Sequence, residues 1–399
     1  MTELRSTSGF DIVAAVSSSG ESPHHEVPLR FLAGRGARVL MLTQKESRWP
    51  PELWRTAGMR VVELGVPRTR FAKLAWHARL FAALRCRSGG RAAVLAVQGS
   101  AVCPTVLAAE AGQLRRRPAI YHTQDFLEPG RYPLRARCER VVARGARIVV
   151  VNEVNRGRAL QSLYRLSRPP VVTPTALPRD WPFPGVNAES RIRLTRNATS
   201  RESKVIFHIG GYSPVRCTEP LIRALCHLEE RYLLVLTSSP EGSASAARIA
   251  EVAEGVGVAR RVCLLPHLSF GGLLEAVAAS DVGCLLYAND GIGNFYQGPG
   301  RLTEYVGCGV PVVASDFPGL RCVLERHGLG ATADPERPES IARAIREVSE
   351  GRRDRGEWHA HLRRAFLEHL CFEAGADGFL HAWEALLHES VGGWGRPAQ

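Results

Sequence analysis

The residues of this chain best suited to chemistry fall in three short stretches. Gly298-Pro299-Gly300 punctuates a loop and releases the chain into Arg301-Leu302-Thr303-Glu304-Tyr305-Val306, a helix start that Gly307 and Gly309 would end. A loop opening onto a helix in this way presents free backbone N–H groups and a positive helix end, a ready anion site. One turn in, Glu304 offers a carboxylate that can accept two ribose hydroxyls, or that can simply cap a surface helix. The second stretch is His208-Ile209-Gly210-Gly211-Tyr212-Ser213-Pro214-Val215-Arg216. Its glycines let backbone approach a ligand closely, and Arg216 can grip a phosphate bidentately; the alternative is a plain strand-to-helix turn. In the third, Ile120-Tyr121-His122-Thr123-Gln124-Asp125 closes a strand. A histidine at a strand's carboxyl end suits acid–base work or a hydrogen bond to a sugar hydroxyl, although a lone histidine can also be a satisfied structural group. Asp125 is the second candidate there.

The elements that must position these residues alternate regularly. Apolar strand signals run over 10–16, 38–42, 60–64, 92–97, 119–122 and 147–151, with helical stretches between nearly all of them. After a break the pattern restarts at 205–209, 232–236, 262–265, 282–286 and 310–314. Strand and helix in alternation imply βαβ units and parallel, doubly wound sheets. Residues 178–203 interrupt the rhythm with three prolines and many polar side chains, and are expected to link two domains, 1–177 and 204–371. The last segment, 372–399, contains a helical pattern over 372–389. Two such halves are expected to leave a cleft between the carboxyl ends of their sheets, where α/β folds bind ligands.

Composition narrows the field. With 399 residues, 45% hydrophobic and 23% charged, the chain is long enough for two full cores. A formal charge of +13, mostly arginine and spread along the chain, can favour acidic partners such as nucleotides, nucleic acid or anionic lipid, or can be no more than the arginine-rich composition of a soluble enzyme. Nucleic acid is not expected, because there is no zinc pattern, RNP-type strand or basic dimerising helix. Ten cysteines form no C-x-x-C and lie largely within apolar runs, as reduced core thiols do. The start MTELRSTSG has no long apolar segment, and no run approaches 18 apolar residues, so a cytoplasmic location is expected. Residues 67–87 mix apolar side chains with six basic ones. Such a helix can lie on an anionic membrane; the expectation is that it packs its apolar face on the sheet and leaves the arginines in water. His24 and His25 open a helix and have no third metal ligand in view.

The stretch 298–319, GPGRLTEYVGCGVPVVASDFPG, resembles the donor-site motif of the family 4 glycosyltransferases, retaining bacterial enzymes of the GT-B fold with two Rossmann-like domains. Pro299-Gly300-Arg301-Leu302-Thr303-Glu304-Tyr305 and Gly309-Val310-Pro311-Val312-Val313-Ala314-Ser315 carry the likeness, which continues through Asp316-Phe317-Pro318-Gly319. The resemblance covers 205–350 well and 10–175 loosely. It implies that Glu304 binds the donor ribose, that the backbone of Gly300, Arg301 and Leu302 holds the diphosphate, and that Arg216 neutralises the departing diphosphate. Three positions depart from the family pattern. Tyr296 stands where the family usually has a glutamate that contacts the donor sugar. Gly211 replaces the first basic residue of the phosphate loop, and of the glycine-rich first loop only Gly20 remains, within Ser17-Ser18-Ser19-Gly20. The turn at 262–268, with Leu265, resembles the base-binding turn. His122 falls where the family often has a functionally needed histidine. The final helix is expected to cross back onto the first domain.

These readings converge on a hexosyltransferase type of enzyme. It would use a UDP- or GDP-sugar as co-substrate, with no cofactor and no obligatory metal, and there is no convincing Asp-x-Asp in the chain. The acceptor is expected to be a hydroxyl of a secondary metabolite or a cell-envelope glycan. The rivals are a sugar-nucleotide 2-epimerase of the same fold and a non-catalytic nucleotide-sugar or lipid-binding module.

Overall fold

A computed structural model describes residues 10–17, 23–50, 53, 58–85, 94–110, 118–127, 130, 132–196, 202–351 and 353–392. The described residues divide into two compact units, one of residues 1–181 with 375–399 and the other of residues 182–374.

In the first unit the order is β1 Ile12–Val16, α1 Val27–Gly34, β2 Val39–Thr43, β3 Met59–Glu63, α2 Arg70–Arg85, β4 Val94–Gln98 and α3 Cys103–Ala109. It continues with β5 Ala119–His122, α4 Pro133–Gly145, β6 Ile148–Val151, α5 Val154–Tyr164 and β7 Val171–Val172. The strands form one parallel sheet in the order β3-β2-β1-β4-β5-β6-β7. IVAAV, VLMLT, VLAVQ and IVVV are buried along their whole length, as strands covered on both faces must be. Beneath them, Glu139 is sealed in the core, and its carboxylate accepts the hydroxyls of Tyr121 (2.5 Å) and Tyr164 (2.7 Å).

The second unit runs α6 Ala188–Leu194, β8 Lys204–His208, α7 Thr218–Ala224, β9 Tyr232–Leu236, α8 Ala244–Gly255, β10 Val262–Leu264 and α9 Phe270–Ala278. Then come β11 Val282–Leu285, α10 Ile292–Phe295, α11 Gly300–Gly307, β12 Val312–Ser315, α12 Pro318–His327, β13 Gly330–Ala333, α13 Pro338–Glu350 and α14 Arg355–Ala365. Its parallel sheet has the order β10-β9-β8-β11-β12-β13, the doubly wound arrangement of a nucleotide-binding sheet.

Two departures from the sequence reading have local causes. Much of the expected linker is folded into the second unit: the Asn187 side chain caps α6, and Arg191 ties that helix to Asp281 (2.7 Å) and to the carbonyls of Ala279 and Ser203. A helix anchored by a guanidinium carries little apolar signal. The break in the first unit comes at Trp181, buried edge-on against Trp49 with centroids 5.5 Å apart. The last helix, α15 Asp377–Gly392, starts later than the pattern suggested and packs on β6 and β7 of the first unit. It buries Phe379, Trp383 and Leu386, one face at helical spacing. A β-carbon at Gly375, just before it, would lie 2.5 Å from the Pro174 ring, so only glycine fits the approach.

The described cysteines, nine of the ten, are free thiols. Among the described residues no helix is long and apolar enough to cross a membrane.

Candidate active site

In the second sheet the strand order reverses between β8 and β11, and the segments leaving these two strands carry most of the candidate residues. Open α/β sheets bind ligands outside the carboxyl ends of their strands at such a point. The backbone leaving β8 turns sharply at Gly210 (φ +138), whose amide donates to Thr237 Oγ1 (2.9 Å). A β-carbon on Gly211 would lie 2.5 Å from Ser245 Oγ and 2.9 Å from Ser239 Oγ, so this position has no room for a basic side chain. The short 3-10 turn Pro214–Arg216 then brings Arg216 back over the strand end, where its Nη1 donates to the Ile209 carbonyl (3.1 Å).

The same carbonyl accepts a second guanidinium. Arg301, from the first turn of α11, donates Nη1 to Ile209 O (3.2 Å) and Nη2 to the Tyr287 hydroxyl (2.6 Å). Its guanidinium centre lies 5.4 Å from the Tyr287 ring centroid. Among the described residues neither arginine pairs with a carboxylate. Burial, and then the adjacent Arg301 cation, press Arg216 below the usual guanidinium range. Two cations drawn onto one carbonyl oxygen, with no acid to neutralise them, form a charge arrangement suited to a polyanion.

Helix α11 is fixed by Tyr305. Its hydroxyl donates to Phe207 O (2.9 Å) and accepts from the Ile209 amide (3.2 Å), and its ring lies where a side chain on Gly283 would otherwise sit. This clamp places Glu304, 4% exposed, in the first turns of the helix. Of the three amides expected to face a diphosphate, that of Leu302 donates to Pro299 O (3.1 Å); those of Gly300 and Arg301 open the helix, where no carbonyl of the preceding turn can reach them. Tyr296 ends α10 with its ring edge-on to Phe295 (5.1 Å), which in turn meets Phe317 (5.3 Å). Tyr296, Phe295 and Phe317 therefore form one aromatic cluster. Leu265 is buried and both its backbone groups are engaged, its amide with Leu236 O and its carbonyl with the Ser239 amide.

The second stretch also contains His208, to which the sequence alone assigns no role. His208 ends β8 almost fully buried, and neither ring nitrogen makes a hydrogen bond among the described residues. Burial, then Arg301 and Arg216, push its pKa down to about 3, so the ring is neutral beside the two cations. Its place at a strand's carboxyl end, the signal that drew attention to His122, could have found it.

In the first unit the order reverses between β1 and β4. Gly20, which follows β1 in the sequence, lies outside the described residues. Gln98 and His122 are register partners at the ends of β4 and β5. Both are buried, and Gln98 Oε1 has no hydrogen-bond partner among the described residues. Burial, then the nearby His25 ring, push His122 down to about 3. A histidine neutral at any working pH offers one donor and one acceptor rather than a titrating acid. Asp125 sits close enough to oppose the lowering of His25, and its carbonyl accepts from Thr123 Oγ1 (2.6 Å). His122, Asp125 and Gln98 are thus gathered at one strand-end cluster; Gln98 was not read from the sequence.

Residues 193–364 match the family model described as glycosyl transferases group 1. Among curated proteins, a D-inositol 3-phosphate glycosyltransferase of Mycobacterium sp. (strain KMS) is 30% identical over 241 residues, 59% of this chain and 51% of the relative. One from Geodermatophilus obscurus is 27% identical over 220 residues, 53% of this chain and 47% of the relative. The chain spans about half the length of the curated relatives it matches. Among solved structures, that of Anabaena HepE in complex with UDP and glucose superposes with a TM-score of 0.71 at 16% identity, covering 94% of this chain and 99% of that one. A sucrose-phosphate synthase from Thermosynechococcus elongatus gives 0.69 at 17% identity, covering 95% of this chain and 100% of that one. At such identities the likeness speaks of the fold, which is that of the GT-B glycosyltransferases.

Proposed function

We infer that this chain, whose residues 193–364 match the glycosyl transferases group 1 model, is a glycosyltransferase that moves a sugar from a nucleoside diphosphate sugar to a hydroxyl of an acceptor. The observation that carries this reading is the pair Arg216 and Arg301, two guanidiniums on the Ile209 carbonyl with no paired carboxylate among the described residues. They take the diphosphate, assisted by the start of α11. Glu304 takes the ribose hydroxyls. UDP is the favoured nucleotide, because the structural neighbour HepE binds it.

The acceptor is assigned to the first unit, with His122 and Gln98 hydrogen-bonding its hydroxyls and Asp125 in the same strand-end cluster. Since relatives are named for D-inositol 3-phosphate, a cyclic polyol phosphate is the first acceptor to try. In the transfer, the acceptor oxygen forms a bond to the anomeric carbon as the bond from that carbon to the β-phosphate oxygen breaks. The electron pair leaves with the diphosphate, and a diphosphate oxygen receives the acceptor proton. The acceptor enters on the leaving-group face, so configuration is retained. Charge on the diphosphate grows as its bond to the sugar breaks, so Arg216 and Arg301 act most strongly in the transition state.

The test is incubation with UDP- and GDP-sugars and a panel of polyol and glycan acceptors, with NMR of the product. Acceptor-dependent release of nucleoside diphosphate with retained anomeric configuration supports the reading. An isomerised free sugar would assign the epimerase reaction instead, and binding without turnover on any acceptor would assign a binding module.

A further inference from the structure

Helix α2 departs from its sequence expectation. It buries Trp76, Leu80 and Leu84 against the sheet, yet it still presents apolar side chains to solvent: Phe71 is 88% exposed and Leu74 71%, with Phe81 also exposed. Too many of its residues are apolar for one buried face, so the helix carries a second. Nearby, the start of α4 exposes Leu134 (72%) and Tyr132, and Val141 follows two turns on. Between the two helices, over α3, runs a groove of about 690 Å³ lined by Leu74, Phe81, Pro104, Ala108, Pro133 and Leu134 among others. Exposed apolar clusters of this extent mark a docking surface.

The charges around it say what docks. Helix α2 carries Arg70, Lys73, Arg79 and Arg85 and no acid. Helix α4 carries Arg135, Arg137, Arg140 and Arg144, and its one acid, Glu139, is sealed in the core between two tyrosine hydroxyls. Every exposed charge on these two helices is therefore positive. A fitting partner must accept protruding Phe and Leu side chains and also supply negative charge on both sides of them. A bilayer containing anionic lipid does both: the apolar side chains enter the interface while the long basic ones reach the headgroups.

We propose that the α2–α4 face of the first unit is a peripheral docking surface for anionic membrane, with Phe71, Leu74 and Leu134 as its inserting residues. Each basic residue near such a surface strengthens binding by roughly fivefold, and the attraction is screened by salt. The face belongs wholly to the first unit, so this assignment stands apart from the nucleotide chemistry of the second.

The experiment is co-sedimentation of the full chain with vesicles of phosphatidylcholine alone and of phosphatidylcholine with phosphatidylglycerol, at low and high salt. Wild type is expected to pellet with the anionic vesicles at low salt, and to do so far less with neutral vesicles or at high salt. Replacing Phe71→Ser, Leu74→Ser and Leu134→Ser together should weaken binding at least about tenfold. The separate pair Lys73→Glu and Arg137→Glu should weaken it by a similar factor through charge alone. Both variants should keep wild-type melting and UDP affinity, which shows that they fold. The proposal is overturned if wild type stays in the supernatant, or if it binds neutral vesicles equally well. Undiminished binding by both variants would overturn it as well. A lipid-free dimer that the serine variant abolishes would give the face to a second copy of the chain and also overturn it.

Discussion

Replacing Arg216 with methionine separates an anion site from a structural arginine cluster. Because Nη1 of Arg216 and Nη1 of Arg301 both lie within 3.2 Å of the Ile209 oxygen, the two nitrogens are no more than about 6 Å apart. Two unit charges at that separation repel by about 2–3 kcal/mol at an effective dielectric constant of about 20. Arg216→Met removes this repulsion and one charged hydrogen bond of roughly 1.5 kcal/mol, and Ile209 O remains bonded to Arg301. The nucleotide-free protein should therefore become about 1 kcal/mol more stable, a rise of roughly 2–4 °C in melting temperature for a unit of this size. In the same variant UDP affinity should fall by about ten- to a hundredfold, the loss of one charge-assisted contact. Turnover should fall by about a hundredfold or more, since the diphosphate charge grows in the transition state. Differential scanning calorimetry, with UDP titrated into the same samples, reads the first two effects. A variant that melts several degrees lower and binds UDP like wild type would make Arg216 a structural residue and not a diphosphate ligand.

Glu304→Gln should weaken nucleotide binding about tenfold or more with the fold intact, as one member of each ribose hydrogen-bond pair weakens; titration with UDP and with uridine checks it. His122→Ala should slow turnover by roughly thirty- to a thousandfold while UDP affinity stays near wild type, because the nucleotide is assigned to the second unit; a destabilised but fully active variant would return His122 to a structural role. His122 and His208 are both held near pKa 3, below their unfolded value of 6.5. The unfolded chain therefore binds protons that the folded chain refuses, and stability falls as pH drops below 6.5, by about 2 kcal/mol per histidine at pH 5. Melting curves at pH 7 and pH 5 should show His122→Gln losing less on acidification than wild type, and equal losses would contradict the burial argument.

The strands were legible wherever a branched apolar run announced them, as in IVAAV of β1 and YLLVL of β9. The two that were not, β7 and β13, are a pair of valines and the sequence GATA. In β13 a β-carbon on Gly330 would sit 1.9 Å from Val312 O, so close packing selects small residues and erases the strand signal. The arginines of the second unit were visible as types in a motif, but their convergence on one carbonyl was not, because residues 216 and 301 meet only after β8 and α11 are brought together. Tyr305 reads as an aromatic in a helix; its role as a clamp on β8 depends on Gly283 in β11. His208 was absorbed into the strand that it ends. The second apolar face of α2 was hidden because apolar content alone does not say how many faces will be buried.

If Arg216 and Arg301 hold the diphosphate of the donor, calorimetric titration will show it in the nucleotide affinities. UDP and uridine would each be titrated into wild type and into the double variant Arg216→Met, Arg301→Met. Wild type should bind UDP at least about a hundredfold more tightly than uridine, and the double variant should lose nearly all of that difference while still melting cooperatively. A wild-type protein that binds uridine as well as UDP, or a double variant that keeps its preference for UDP, would mean that these arginines do not hold the diphosphate.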